Sequence, residues 1–259
     1  MSPEAALRAF VEHMLADLPD RPVVLGLCGA QGSGKSTLAA AIARRVPGTV
    51  VLSLDDLYLS RDRRRELADR VHPLFATRGV PGTHDVALGI ATLDALRAGK
   101  SVALPQFDKA SDDPLPVTHW PCVQASRLIV FEGWCVGARP LDPGAIDPPI
   151  NDLERGHDPD GIWRHAWANA LAGAYQDLFA RIDRLVLLGA PGWSTVLDWR
   201  LQQEHALRAT GAHGAGVMDD TAVARFVSHY ERLTRHIFAT MPSHADLVLS
   251  LAADRNLIR

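Results

Sequence analysis

Residues 23–38 read VVLGLCGAQGSGKSTL. The apolar run at 23–28 predicts a buried strand, and 35–46 predicts a helix directly after it. Between them the chain turns through Gly29, Ala30, Gln31, Gly32, Ser33 and Gly34. A turn so rich in glycine lets successive backbone N–H groups point inward at one anion, where Cβ atoms would obstruct. It also opens a helix, and a helix N-terminus favours negative charge. The feature therefore demands a strand–turn–helix unit, and it places a phosphate-sized anion at the turn.

The spacing is that of G-x-x-x-x-G-K-[ST], the P-loop pattern. Gly29 through Thr37 are the candidate nucleotide-binding residues: Gly29, Ala30, Gln31, Gly32, Ser33, Gly34, Lys35, Ser36 and Thr37. Lys35 has the reach for β- and γ-phosphates, and Ser36 offers a hydroxyl to Mg²⁺, so ATP and Mg²⁺ are the expected cofactors. A dinucleotide-binding turn is disfavoured, because G-x-G-x-x-G is absent and Gly-Lys-Ser has no role in that fold.

Helical spacing of Leu7, Phe10, Val11, Met14, Leu15 and Leu18 predicts an N-terminal helix within residues 1–22. Further strands are expected at 49–54, 102–104, 128–131, 185–188 and 247–251. Helices are expected at 61–70, 85–98, 162–182, about 194–209 and 219–240. Residues 138–161, full of Pro, Gly and Asp, read as a long loop. The alternation implies an α/β fold of the P-loop NTPase three-layer type. A mostly parallel sheet would be covered by helices on both faces, with a helical lid at about 194–218. The 259 residues are read as one domain.

A net charge of −3 gives no basic field for nucleic acid or anionic membrane, and no apolar run nears the ~20 residues of a membrane span. The opening MSPEAALRAF argues against a secretory leader, and the three cysteines, without metal spacing, suit a reducing cytoplasmic setting. Neither a nucleic-acid nor a membrane partner is expected; the oligomeric state stays open.

Two acidic groups follow predicted strands, where open α/β sheets bind ligands. One is Asp55-Asp56. The other is Glu132, placed where such proteins keep a metal-supporting acid. Ser36, Glu132 and Asp55 are therefore the candidate metal-side residues. Arg61, Arg63, Arg64 and Arg65 form a basic cluster read as a solvated helix face, with an anion-attracting rim as the sharper alternative. Arg200 and Arg208 are candidate lid cations on the helix after 185–188, and 211–216 is a candidate hinge.

The run LSLDDLYL is similar to the second-strand motif of the uridine kinase, phosphoribulokinase and pantothenate kinase group. RGVPGTHD at 78–85, LPQFDKA at 104–110, FEGWCVG at 131–137, WRLQQE at 199–204 and FVSHYERLTR at 226–235 extend the likeness. Over nearly the whole chain from Val23 onward it resembles the plant-type D-glycerate 3-kinase family. That resemblance implies Asp55 as the base for the acceptor hydroxyl and Glu132 as the Mg²⁺ partner. It favours Arg200 as the lid arginine, puts Lys35, Asp55 and Arg200 in catalysis, and places Tyr58, Arg78, His84 and Asp85 near the acceptor. It implies a small hydroxy acid, D-glycerate first, as substrate. A carboxylate acceptor needs a cation; Arg78 comes first for its bidentate fork, and Lys109 next. The chain departs from the plant pattern after FDKA, where 111–118 replaces a longer segment. A nucleoside, pantothenate-like or sugar acceptor is the alternative within kinases. A regulatory nucleotide-binding protein is the alternative outside them, although Asn-Lys-x-Asp and Leu-Ser-Gly-Gly-Gln motifs are both absent.

Overall fold

The structure, a computed structural model, describes residues 2–16, 21–125, 127–209 and 218–258. Leu18 and the glycine segment 211–216 lie outside the described residues. Helix α1 (Pro3–Ala16) precedes β1 (Val23–Gly29), α2 (Lys35–Arg45) and β2 (Thr49–Ser53). Next come α3 (Arg61–Arg70), α4 (Val86–Arg97) and four two-residue strands, β3 (Val102–Ala103), β4 (Phe107–Asp108), β5 (Asp113–Pro114) and β6 (Cys122–Val123). The chain continues with β7 (Leu128–Gly133), α5 (Asp152–His157), α6 (Ile162–Ala172), α7 (Ala174–Phe179) and β8 (Arg184–Gly189). It ends with α8 (Trp193–Ala209), α9 (Asp220–Ser228), α10 (Glu231–Thr240) and β9 (Leu247–Ser250).

Five strands form one parallel sheet in the order β2-β7-β1-β8-β9. Side chains alternate across a strand, so a sheet covered on both faces needs apolar residues at every position. The central strands obey this. Val24, Cys28, Ile129, Phe131 and Leu187 pack into one core, against Trp163, Trp167, Tyr175 and Ile237. Leu25, Leu27, Leu128, Val130, Val186 and Leu188 pack into the other, against Leu7, Val11, Ile42 and Trp199. No described helix is long and apolar enough to cross a membrane.

The structure departs from the sequence expectations at five places. The helix read over 162–182 is broken at Gly173, whose φ −98°, ψ −116° is not helical. Buried Trp163, Trp167, Leu171, Tyr175 and Leu178 keep helical spacing across the break, which is why the periodicity hid it. The helix read over 219–240 turns at His229 and Tyr230, through Tyr230 N–H donating to the Val227 carbonyl at 2.9 Å. The strand at 102–103 does not join the main sheet; it pairs antiparallel with β6. The loop at 138–161 contains α5, held by Arg232, which donates to Glu154 Oε2 at 2.6 Å. Helix α3 is not a wholly solvated face, because Arg64 is fully buried.

Gly79 shows how tightly one loop packs. Its φ is +143°, and a Cβ there would sit 2.2 Å from the Tyr230 hydroxyl. Gly99, at φ +68°, has open space around the same position. Gly99→Ala is expected to destabilise by about 1–2 kcal/mol through backbone strain alone. Gly79→Ala is expected to lose about 3 kcal/mol or more, because the clash adds to the strain. Urea unfolding of both variants checks the ordering.

Candidate active site

The carboxyl ends of β1, β2 and β7 meet at one cleft of about 310 Å³. Gln31, Gly32, Lys35 and Ser36 line one wall. Asp55, Tyr58, Arg78 and Lys109 line the facing side, and Arg200 joins from α8.

The glycine turn is shaped by its neighbours. Gly32 has φ +78°, and a Cβ would meet Trp199 Cβ at 2.5 Å. Gly34 has φ +87° but nothing within 4 Å of a built Cβ, so its constraint is conformational and the space beside it is open. Ser36, in the first turn of α2, donates its hydroxyl to Glu132 Oε1 at 2.9 Å. Glu132 Oε2 is buried without a hydrogen-bond partner. An orphaned carboxylate oxygen beside a hydroxyl at the phosphate turn fits a divalent cation. No cluster of three or more His, Cys, Asp or Glu side chains that could hold a metal exists among the described residues. That suits Mg²⁺, which keeps most of its shell as water and phosphate oxygens.

Ser53 ends β2, and its Oγ accepts from Asp55 N at 3.3 Å in the tight turn at Leu54–Leu57. Asp55 Oδ2 accepts from Lys109 Nζ at 2.7 Å, and Oδ1 accepts from the Tyr58 hydroxyl at 3.1 Å. Burial opposes ionisation of Asp55, but the charges of Lys109 and Lys35 outweigh it and bring its pKa down to about 2. Its neighbour behaves oppositely. Burial, reinforced by the charges of Asp55 and Glu132, pushes Asp56 up to about 6. Asp56 Oδ1 accepts from Phe107 N at 3.1 Å and so anchors β4 rather than facing the cleft. The two adjacent aspartates are thus chemically distinct.

Backbone pairing of 57–59 with 83–85 sets Tyr58 against His84. The rings stack at 4.4 Å, and His84 Nδ1 lies 2.6 Å from the Tyr175 hydroxyl. Burial drives the His84 pKa down to about 3, so the ring is neutral and supports Tyr58 from beneath. Neither His84 nor Asp85 lines the cleft. Asp85 caps α4 by accepting from Leu88 N at 3.0 Å and pairs with Arg63 at 2.6 Å. Arg78 does line it, with its guanidinium 5.6 Å from the Phe107 ring centroid. Arg200 forms an ion pair with Glu204 at 2.8 Å, whereas Arg208 pairs with Asp220 away from the cleft.

Trp134, Gln203, Phe226 and Tyr230 also line the cleft. Sequence reasoning had their motifs but assigned them no place. Trp134 Nε1 donates to the Gly79 carbonyl at 3.0 Å, and the Tyr230 hydroxyl donates to the Arg78 carbonyl at 3.1 Å. These two aromatics fix the backbone that carries Arg78. Arg255 was missed entirely; it donates to the Gly32 carbonyl at 2.6 Å.

A phosphate turn, an acid beside its serine and a carboxylate facing both across a cleft define a P-loop phosphotransferase. No protein-family model matches the chain. The uncharacterized kinase mug58 of Schizosaccharomyces pombe is 38% identical over 224 residues, covering 81% of this chain and 79% of that protein. D-glycerate 3-kinase, chloroplastic, of Arabidopsis thaliana is 30% identical over 268 residues, covering 93% of this chain. The match takes in 55% of the plant protein, so this chain spans about half of that relative's length. Among solved structures, D-glycerate 3-kinase from Cryptococcus neoformans aligns with TM-score 0.80 at 24% identity, over 99% of this chain and 97% of that one. The YGR205w protein aligns with TM-score 0.76 at 25% identity, over 98% and 94%. The chain belongs to the kinase family of these relatives.

The raised pKa of Asp56 has a consequence for stability. An unfolded Asp titrates near 3.9, so the folded chain holds this proton more tightly. Asp56 therefore favours the fold fully below about pH 4, and that support is lost as pH rises through about 6. Asn at position 56 keeps the acceptor for Phe107 and removes the charge. In protein free of metal and nucleotide, Asp56→Asn is expected to be more stable than the parent by about 1–2 kcal/mol at pH 8, after solvent screening. The gain is expected to vanish at pH 4. Urea unfolding at both values checks it.

Proposed function

We propose that the chain transfers the γ-phosphoryl group of ATP to a hydroxyl of D-glycerate. One observation carries the reading: a single cleft joins Lys35 and Ser36 to Asp55 and Arg78. The names of the plant and fungal relatives, matched over most of this chain, support the acceptor. Relatives named uridine kinase match only 46% of it, which disfavours a nucleoside.

The division of labour follows from the geometry. The backbone N–H groups of the glycine turn and Lys35 hold the phosphates, and Arg200 adds charge from α8. Ser36 and Glu132 hold Mg²⁺, which neutralises phosphate charge when bound. Asp55 is ionised and keeps free lone pairs beside its bonds to Tyr58 and Lys109, so it accepts the acceptor's O–H and orients the oxygen. With Tyr58 on one oxygen, the carboxylate cannot rotate freely. Arg78 takes the carboxylate of the acceptor through its fork. Phosphoryl transfer depends mainly on positioning and electrostatics, and proton transfer to Asp55 can come late. His84 and Asp85 act through Tyr58 and α4 rather than by touching the acceptor.

D-Glycerate is expected to stimulate ADP formation far more than uridine or pantothenate. A coupled assay across the three decides; a preferred nucleoside would replace the acceptor while keeping the kinase. Asp55→Asn keeps the shape but cannot accept the proton. It is expected to lower kcat by about 10²- to 10⁴-fold with little change in ATP affinity, and Asp56→Asn to be milder. Steady-state kinetics with nucleotide binding measured separately tests the pair.

A further inference from the structure

Between β4 and β5 lies a short turn, residues 109–112, whose two ends touch the two groups assigned to the acceptor. Lys109 reaches Asp55, and Asp112 Oδ1 accepts from Arg78. Asp112 also reaches deeper. Its Oδ2 accepts from Arg64 Nη2 at 2.7 Å, and its backbone carbonyl accepts from the same nitrogen at 3.0 Å. Arg61 Nε stands 4.0 Å from Oδ2. One carboxylate thus faces three guanidiniums. The Arg64 side chain is 1% exposed, and its Nε and Nη1 have no hydrogen-bond partner.

A buried guanidinium stays charged and strongly favours an anion in its fork. Arg61, Arg64 and Arg78 share the one carboxylate of Asp112. Arg78 belongs to both settings: it lines the cleft, and it holds Asp112. An acceptor carboxylate arriving at Arg78 meets a like charge already there.

We propose that Asp112 is an internal stand-in for the acceptor's carboxylate. It occupies the Arg64–Arg78 pair when the acceptor is absent and competes with an incoming small carboxylate for Arg78. The proposal rests on the reading of the acceptor as a hydroxy acid. It makes Asp112 a positioning residue that sets affinity for anionic acceptors, and it brings Arg64 into the site through Asp112. An uncharged polyol gains nothing from displacing it, so the device also selects for charge.

Asp112→Asn tests this cleanly. Asp112 has φ +58°, and Asn tolerates that left-handed conformation as well as Asp does. The amide oxygen still accepts from Arg64, but the competing charge is gone. KM for D-glycerate is expected to fall about three- to tenfold, a modest change because the pair is partly solvated. The change in kcat is expected to be smaller than that in KM, and KM for ATP to hold. Acetate is expected to inhibit the variant at lower concentration than the parent, and glycerol to act on both alike. Arg78→Met, measured in parallel, is expected to raise KM for D-glycerate. An unchanged or raised KM in Asp112→Asn, with the rise in Arg78→Met, overturns the stand-in and leaves the acceptor reading standing. A parent chain that turns over no hydroxy acid overturns both.

Discussion

Gly32 stands so close to Trp199 that any Cβ would collide with the Trp199 Cβ. That contact ties the phosphate turn to α8. Trp199 is buried, and its indole donates to the Ala253 carbonyl at 2.7 Å, while Arg255 lies over the same ring and donates to Gly32. The turn is thereby gripped from both sides, and α8 is set at the angle that brings Arg200 to the cleft. Gly32 thus shapes the turn and also docks the helix that carries Arg200. Loss of that close approach would displace both at once, because packed contacts of this kind do not deform gradually.

The acidic groups show how one small region sustains three different carboxylates. Asp55 is buried but faced by Lys109 and Lys35, so it stays ionised. Asp56 lies one residue on, without a cation of its own, and is drawn toward neutrality near pH 6. Glu132 keeps one oxygen on Ser36 and one oxygen bare. Environment rather than residue type separates the roles. A charged hydrogen-bond acceptor, a structural anchor and a carboxylate with one bare oxygen beside Ser36 arise within the ends of two neighbouring strands.

Much of this was legible in the sequence, for identifiable reasons. The turn at 29–36 announces itself because its glycines have a backbone task that other residues cannot perform. The central strands were legible because burial on both faces makes them continuously apolar. The short strands at 107–108 and 113–114 carry no such signal, and they are what delivers Lys109 and Asp112. Gly173 was hidden by a periodicity that survives the break. The burial of Arg64 was invisible, because its charged neighbours on α3 look like any solvated face and its partner Asp112 is 48 residues away. Tyr230 and Trp134 lie in runs that the family likeness picked out, but their task is to hold the backbone around Arg78. Only the fold brings them there.

The glycine turn and Arg78 line one continuous cleft. A linked inhibitor, in which adenosine and the C3 oxygen of D-glycerate are joined through a phosphate chain, spans both halves at once. Its Kd, measured by calorimetry, is expected to be at least about 100-fold below that of ATP, since the second half binds without a separate entropic cost. Arg78→Met is expected to remove most of that gain while leaving ATP binding as it was. A linked compound that binds no more tightly than ATP would contradict the account.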